Sequence, residues 1–133
     1  MNHVAIMNKS FGNLIAKILS GEKKIESRWS KNKIAPWGRV HPNDVIYFKQ
    51  SGGNVEARAE VEKVVGIENL DQKTVQRIAK EYGLKEEWGK DKKYCTLIFL
   101  KNPKKVSPFK INKSGFGSAA AWLCAESIKS IRV

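Results

Sequence analysis

The chain is short of cysteine, histidine, proline and acidic residues, and each shortage excludes something. Two cysteines, Cys95 and Cys124, have neither the density of a disulfide scaffold nor the spacing of a metal site. Both sit in apolar runs, which reads as small buried hydrophobes in a reducing compartment. The two histidines, His3 and His41, stand far apart in sequence, so no metal and no cofactor is expected. Four prolines and ten glycines exclude a collagenous or low-complexity chain. No apolar run approaches the roughly 18 residues of a membrane span. The opening stretch to Gly21 is interrupted by Asn8, Lys9, Asn13 and Lys17, so it does not read as a secretory signal. Its mixed polar face does not suit a membrane-surface helix either. A cytoplasmic location without a membrane partner is expected.

What is present is positive charge. Against 25 Lys and Arg stand 13 Asp and Glu, a formal net charge of +12, with an isoelectric point near 9.8. Such a field attracts polyanions, RNA and DNA above all. Hydrophobic residues make up 41% and charged residues 29% of 133 positions. That is a globular composition at the length of one domain, residues 1–133, and a monomer is expected.

Along the chain, Val4–Met7 reads as a strand. Ser10 fits a helix N-cap. Phe11, Leu14, Ile15, Ile18 and Leu19 then recur at helical spacing up to Gly21, predicting a helix over 10–20. A short strand begins at Ile25. Asp44–Lys49 is strand-like in composition, and Val55, Ala57, Ala59 and Val61 alternate with Glu56, Arg58 and Glu60 across a Gly52-Gly53 turn. The two segments predict a hairpin. Asp71 caps a second helix that ends at Gly83. Cys95–Leu100 is a strand buried on both faces, and 106–111 a further strand. Ser114–Ser118 is a glycine turn, 119–126 a short helix and 128–133 a last strand. Strands dominate and the parallel crossover rhythm of an α/β sheet is absent. The expected class is α+β, a small mixed or antiparallel β-barrel flanked by two to three short helices.

The most informative segment is Gly21-Glu22-Lys23-Lys24-Ile25-Glu26-Ser27-Arg28. Glu26 and Arg28, two apart on a strand, share a face. Lys23 sits at the mouth of the preceding turn, so two cations and a carboxylate converge on one end of the sheet. A buried Glu26 requires a partner, and Arg28 is the obvious one. A carboxylate can accept from an exocyclic amino group, and lysine or arginine can hold a phosphate or carbonyl oxygen.

This pattern, G-x-K-x-x-E-x-R directly after an amphipathic helix, resembles the signature of the ASCH domain, a family of the PUA-like β-barrel superfamily. Gly21, Lys23, Glu26 and Arg28 meet its four fixed positions. The resemblance extends over residues 4–100, with Asn43-Asp44 where the family often has Gly-Asp. It implies a cleft between the first helix and the barrel, lined by the motif residues, in which members bind RNA or other nucleic acid. Some members are enzymes. One bacterial type is an amidohydrolase of N4-acetylcytidine that uses a lysine, a threonine and a glutamate. Lys23 lies where that lysine would sit and Glu26 stands in place of the threonine. Glu81, Glu86 and Glu87 are loose equivalents of the glutamate. Other members are proposed as ribonucleases.

Around the motif, Arg28-Trp29-Ser30-Lys31-Asn32-Lys33-Ile34-Ala35-Pro36-Trp37-Gly38-Arg39 interleaves cations with two tryptophans. Cations hold phosphates, and indoles stack on unpaired bases. The expected function is a nucleic-acid-binding module, RNA first and DNA second, that reads an unstacked or modified base. Its binding residues would be Lys23, Glu26, Arg28, Trp29, Lys31, Lys33, Trp37 and Arg39. The alternative is a hydrolase of RNA or a modified nucleoside with Lys23 and Glu26 as candidate catalytic residues.

Overall fold

Alternation with a period of two sends one set of side chains of a strand inward. Val55, Ala57, Ala59 and Val61 are fully buried and the charged residues between them are not. In the computed structural model, which describes residues 1–117 and 120–133, they belong to a long strand, Val55–Ile67, here β4. It pairs antiparallel with β3, Val45–Gln50, as the predicted hairpin. On its other side β3 pairs in parallel with β1, Asn2–Met7, the one parallel pairing among the described residues. β5, Tyr94–Phe109, runs antiparallel along β4 with three register shifts. Such irregularities bend and twist paired strands. β2, Ile25–Ser30, pairs with β5, and β6, Trp122–Ala125, pairs with β1.

The six strands make one curled sheet in the order β2-β5-β4-β3-β1-β6. The edges, β2 and β6, are not paired with each other, so the barrel stays open along that seam. Helix α1, Leu14–Ser20, packs Ile15 and Ile18 into the barrel core beside Ile46, Phe48 and Ile98. Helix α2, Gln72–Tyr82, lies on the outer face. It packs Val75 and Ile78 against Cys95 and Leu97. A third cluster, Val4, Val55, Phe109, Leu123 and Ile131, closes the opposite end. The fold is α+β, as expected, with two α-helices and three short 3-10 turns among the described residues.

Four local expectations are corrected. The first helix starts at Leu14, not at Ser10. Asn13 is its cap, accepting from the Ala16 N–H at 3.1 Å. Residues 9–11 form a separate 3-10 turn with Phe11 42% exposed. The periodic pattern runs through both pieces, but Gly12 breaks the chain between them. The segments 95–100 and 106–111 are largely one strand, β5, because its bulges keep the pairing with β4 continuous through the charged stretch 101–105. Residues 122–125 are strand, not helix. Pairing with the exposed edge of β1 overrides their modest helical preference. Residues 128–130 form a 3-10 turn, and only Arg132 makes a bridge, to Ile111. Parts of the predicted turn and helix at Ser118 and Ala119 lie outside the described residues.

Two consequences can be checked. A Cβ at Gly89 would lie 2.6 Å from Val75 Cγ1 and 2.8 Å from Trp29 Cζ3. Gly89→Ala is therefore expected to cost about 1–3 kcal/mol, read as a lower urea midpoint. Burial pushes the Cys95 thiol up to about 12. Alkylating reagent at mildly alkaline pH should label Cys95 only after unfolding, in a mass-spectrometric time course.

Candidate nucleic-acid cleft at the open seam

Gly21 ends α1 in the left-handed conformation, with φ of 84°, and turns the chain back toward the barrel. The Lys23 N–H then donates to the Lys17 carbonyl at 2.9 Å. β2 therefore enters the edge of the sheet with Glu26 and Arg28 facing inward and Ile25 and Trp29 facing α2. Glu26 is only 5% exposed. Its Oε1 lies 3.7 Å from Arg28 Nε, the pairing that the sequence demanded. Lys23 Nζ donates to the Ile25 carbonyl at 2.7 Å, which fixes its ammonium at the cleft mouth.

Arg28 reaches across the seam. Nη1 donates to the Ala121 carbonyl and Nη2 to the Ile6 carbonyl, both at 3.3 Å, and Nη2 also approaches Met7 Sδ at 3.5 Å. The guanidinium carbon rests 5.2 Å from the centre of the Trp122 ring, a cation–π contact. One side chain thus ties the β2 edge to β1 and to the approach to β6.

Above this bridge lies a cavity of about 370 Å³ lined by Met7, Lys23, Glu26, Arg28, Trp29 and Trp88 among others. Two of its lining side chains hold a buried polar atom with no hydrogen-bond partner, Glu26 Oε2 and Trp88 Nε1. Buried polar groups are nearly always satisfied, so two orphans on residues lining one cavity mark its walls as short of hydrogen-bond partners. Trp88 also meets the exposed Phe11 edge-on at 5.5 Å. A larger cavity of about 530 Å³ lies at the start of α2. It mixes Asp71, Glu86 and Glu87 with Lys90, Lys92 and Lys93, and Asp71 is already committed to capping Thr74. The motif cleft has the more directed chemistry.

The sequence candidates divide. Lys23, Glu26, Arg28 and Trp29 come together in the cleft. Trp29 is partly held, its Nε1 donating to Ser27 Oγ at 3.0 Å. Trp37 does not line it. Its ring covers Gly66 and meets Tyr94 edge-on at 5.1 Å, with Lys33 over the Tyr94 ring. Lys31, Lys33 and Arg39 are exposed on the loop after β2. Of the loose glutamate equivalents, Glu87 lines the cleft, Glu86 lines only the cavity beside α2, and Glu81 lines neither. Sequence reasoning missed Trp88 and Phe11. The one available signal for Trp88 was a large aromatic alone in a charged stretch without periodicity.

Beneath Trp122 lies a second polar group. Trp122 Nε1 donates to His3 Nδ1 at 3.1 Å. His3 Nε2 is 2.8 Å from Asp44 Oδ2, which also accepts from the His41 N–H at 3.0 Å. The N-terminal ammonium is 3.4 Å from Asp44 Oδ1. Burial holds His3 below the ordinary imidazole value, against the opposing pull of Asp44. Burial alone would raise Asp44, but the bonds from His3 and His41 outweigh it and hold the carboxyl below its usual range.

An open, curled mixed sheet, plugged by a short helix and carrying a cation-lined cleft at the seam, defines a PUA-like barrel. Solved structures make the type more specific. An ASCH protein from Zymomonas mobilis superposes with a TM-score of 0.64 at 16% identity, over 97% of this chain and 91% of that one. Two single-residue mutants of it match with TM-scores of 0.66 and 0.67 at 16% and 17% identity. They too match over 97% of this chain, and over 93% and 91% of theirs. The chain has the ASCH fold. No family model and no curated protein matches it.

Arg28→Ala is expected to destabilise by about 3 kcal/mol, because Glu26 is left buried without its cation. Repeated in a Glu26→Gln background the loss should shrink by at least about 1 kcal/mol, a double-mutant coupling measurable in urea. Additive losses would mean that the two side chains act independently.

Proposed function

We propose that the seam cleft binds RNA, taking an unstacked base between its aromatic walls while the surrounding cations hold phosphates. The observation that carries this reading is the cavity itself. A fixed guanidinium, a lysine and a buried carboxylate with one unpartnered oxygen stand beside two indoles, in a chain of net charge +12. On this reading the cleft opens enough on binding for Glu26 Oε2, which has no partner, to accept from a base amino group and for Trp88 Nε1 to donate to a ring nitrogen or carbonyl. Trp88 and Phe11 offer stacking surface, and Trp29, its ring packed toward Gly89 and α2, completes the wall. Lys31, Lys33, Trp37 and Arg39 on the loop after β2 would extend the contact along the strand, with phosphates on the cations. Charge complementarity also admits DNA, which competes as the weaker ligand. The nucleic-acid cleft that the resemblance to the ASCH signature implies agrees with this reading.

The hydrolase alternative needs Lys23 free as base or nucleophile. Its Nζ instead donates to a main-chain carbonyl at 2.7 Å, the engagement of a structural or binding cation. That contact favours binding over catalysis.

Titration of a fluorescent single-stranded RNA, followed by anisotropy and tryptophan quenching, tests the reading. Affinity should fall steeply between 50 and 200 mM salt, as expected for several phosphate contacts. Trp88→Ala should weaken binding by about 1–3 kcal/mol, and Lys23→Ala should reduce the salt slope by roughly one. Salt-insensitive binding, or no binding to any nucleic acid, would refute the proposal. Turnover of the RNA or of a modified nucleoside, lost in Lys23→Ala, would replace it with the hydrolase.

A further inference from the structure

The site arginine rests on a tryptophan whose ring nitrogen is held from behind by a buried histidine. An indole N–H only donates, so His3 Nδ1 must be the acceptor in the 3.1 Å contact with Trp122. The imidazole is therefore neutral with its proton on Nε2, which donates to Asp44 Oδ2 at 2.8 Å. Nδ1 has nowhere else to turn, since His3 is 1% exposed. A proton on Nδ1 would set two donors against each other in a dry site, and the Trp122 bond would be lost. Trp122 carries the Arg28 guanidinium on its ring, and Arg28 holds the seam and lines the cleft.

We infer that His3 is a positioning residue for the cleft. In its neutral form it fixes the Trp122 ring on which Arg28 rests, and protonation releases that support and weakens the ligand site. This rests on the RNA-binding reading for its functional consequence, though the relay itself does not. The direction is the reverse of ordinary polyanion binding, where acid adds positive charge and strengthens the complex.

The surroundings fix the sign. Asp44, just before β3, and the N-terminal ammonium face His3 from one side, and Cys124 stands opposite it on β6. His41 lies in the loop before β3, 71% exposed, with Nδ1 3.9 Å from Asp44 Oδ2. Arg39 acts on Cys124 from the basic loop. Burial outweighs Asp44 and keeps the imidazole below its ordinary value. A depressed histidine stabilises the fold above its unfolded value near 6.5, and that contribution is lost as pH falls through the folded value. Cleft and fold should therefore loosen together in mild acid.

The experiment uses the whole chain with His41→Gln, which removes the only other histidine. Nitrogen-15 spectra would follow the His3 ring, the Trp122 indole N–H and the Arg28 Nε–H from about pH 7.5 to 5.0. Anisotropy with single-stranded RNA would be read at the same points. The expected result is an Nε2–H tautomer at neutral pH. All three signals should then move with one midpoint, and RNA affinity should fall roughly threefold to tenfold across it. His3→Asn keeps an acceptor near the Nδ1 position but cannot titrate, and should bind RNA with no such acid loss. Trp122→Phe keeps the ring under Arg28 without the N–H, and should likewise be flat, should the histidine variant fail to fold. An Nδ1–H tautomer, an Arg28 signal indifferent to the His3 midpoint, or an acid loss unchanged in both variants overturns the inference. If no RNA binds at neutral pH, the functional reading fails while the three coupled signals still decide the relay.

Discussion

Arg28 is the constraint on which the rest depends. A six-stranded sheet that curls without closing leaves main-chain carbonyls facing a gap, and exposed strand edges must be covered or blunted. Here the cover is a side chain. The guanidinium donates to carbonyls of Ile6 and Ala121 from the opposite edge and lies on the Trp122 ring. Its fork of planar donors can serve two carbonyls and a carboxylate at once, which an ammonium cannot do with fixed geometry. The open seam is thereby bridged by one charged side chain, which also lines the cleft.

A cation drawn into the seam requires a counter-charge, and Glu26 supplies it from two residues earlier on the same strand. Only Oε1 is used, at a loose 3.7 Å, and Oε2 is left over. A structural ion pair alone would gain from satisfying both oxygens, since a half-satisfied buried carboxylate is costly. Glu26 Oε2 and Trp88 Nε1, on two residues that line the same cavity, are both left without a hydrogen-bond partner. The walls of the seam are thus left short of hydrogen-bond partners where the cleft lies.

Much of this was legible in the sequence. Glu26 and Arg28 were placed on one face by the period of a strand alone, and the pairing followed from burial. Asp71 and Gly83 bounded the second helix because cap and stop chemistry is local. The failures were non-local. Residues 122–125 carry no strand alternation, and only the free edge of β1 makes them a strand. Trp37, in a basic aromatic run, was grouped with the cleft, yet its ring is drawn to the bare backbone at Gly66. Trp88 arrived in the cleft on a 3-10 turn that no periodicity announces. The partner of His3 is 119 residues away, so no spacing rule reaches it.

The same geometry bears on why so basic a chain buries the carboxylate of Glu26 in the wall of its cleft. A purely cationic groove would hold any polyanion by its phosphates and discriminate poorly, since backbone contacts carry no base information. In the proposed binding reading, an inward acid beside an inward base would disfavour a phosphate and accept a group with its own N–H donors. The exposed cations Lys31, Lys33 and Arg39 would attract the strand. The Glu26–Arg28 pair would then select what part of it enters. In that reading, long-range attraction falls to the loop after β2 and short-range choice to β2 itself, where Arg28 is held by the Ala121 and Ile6 carbonyls and by the Trp122 ring.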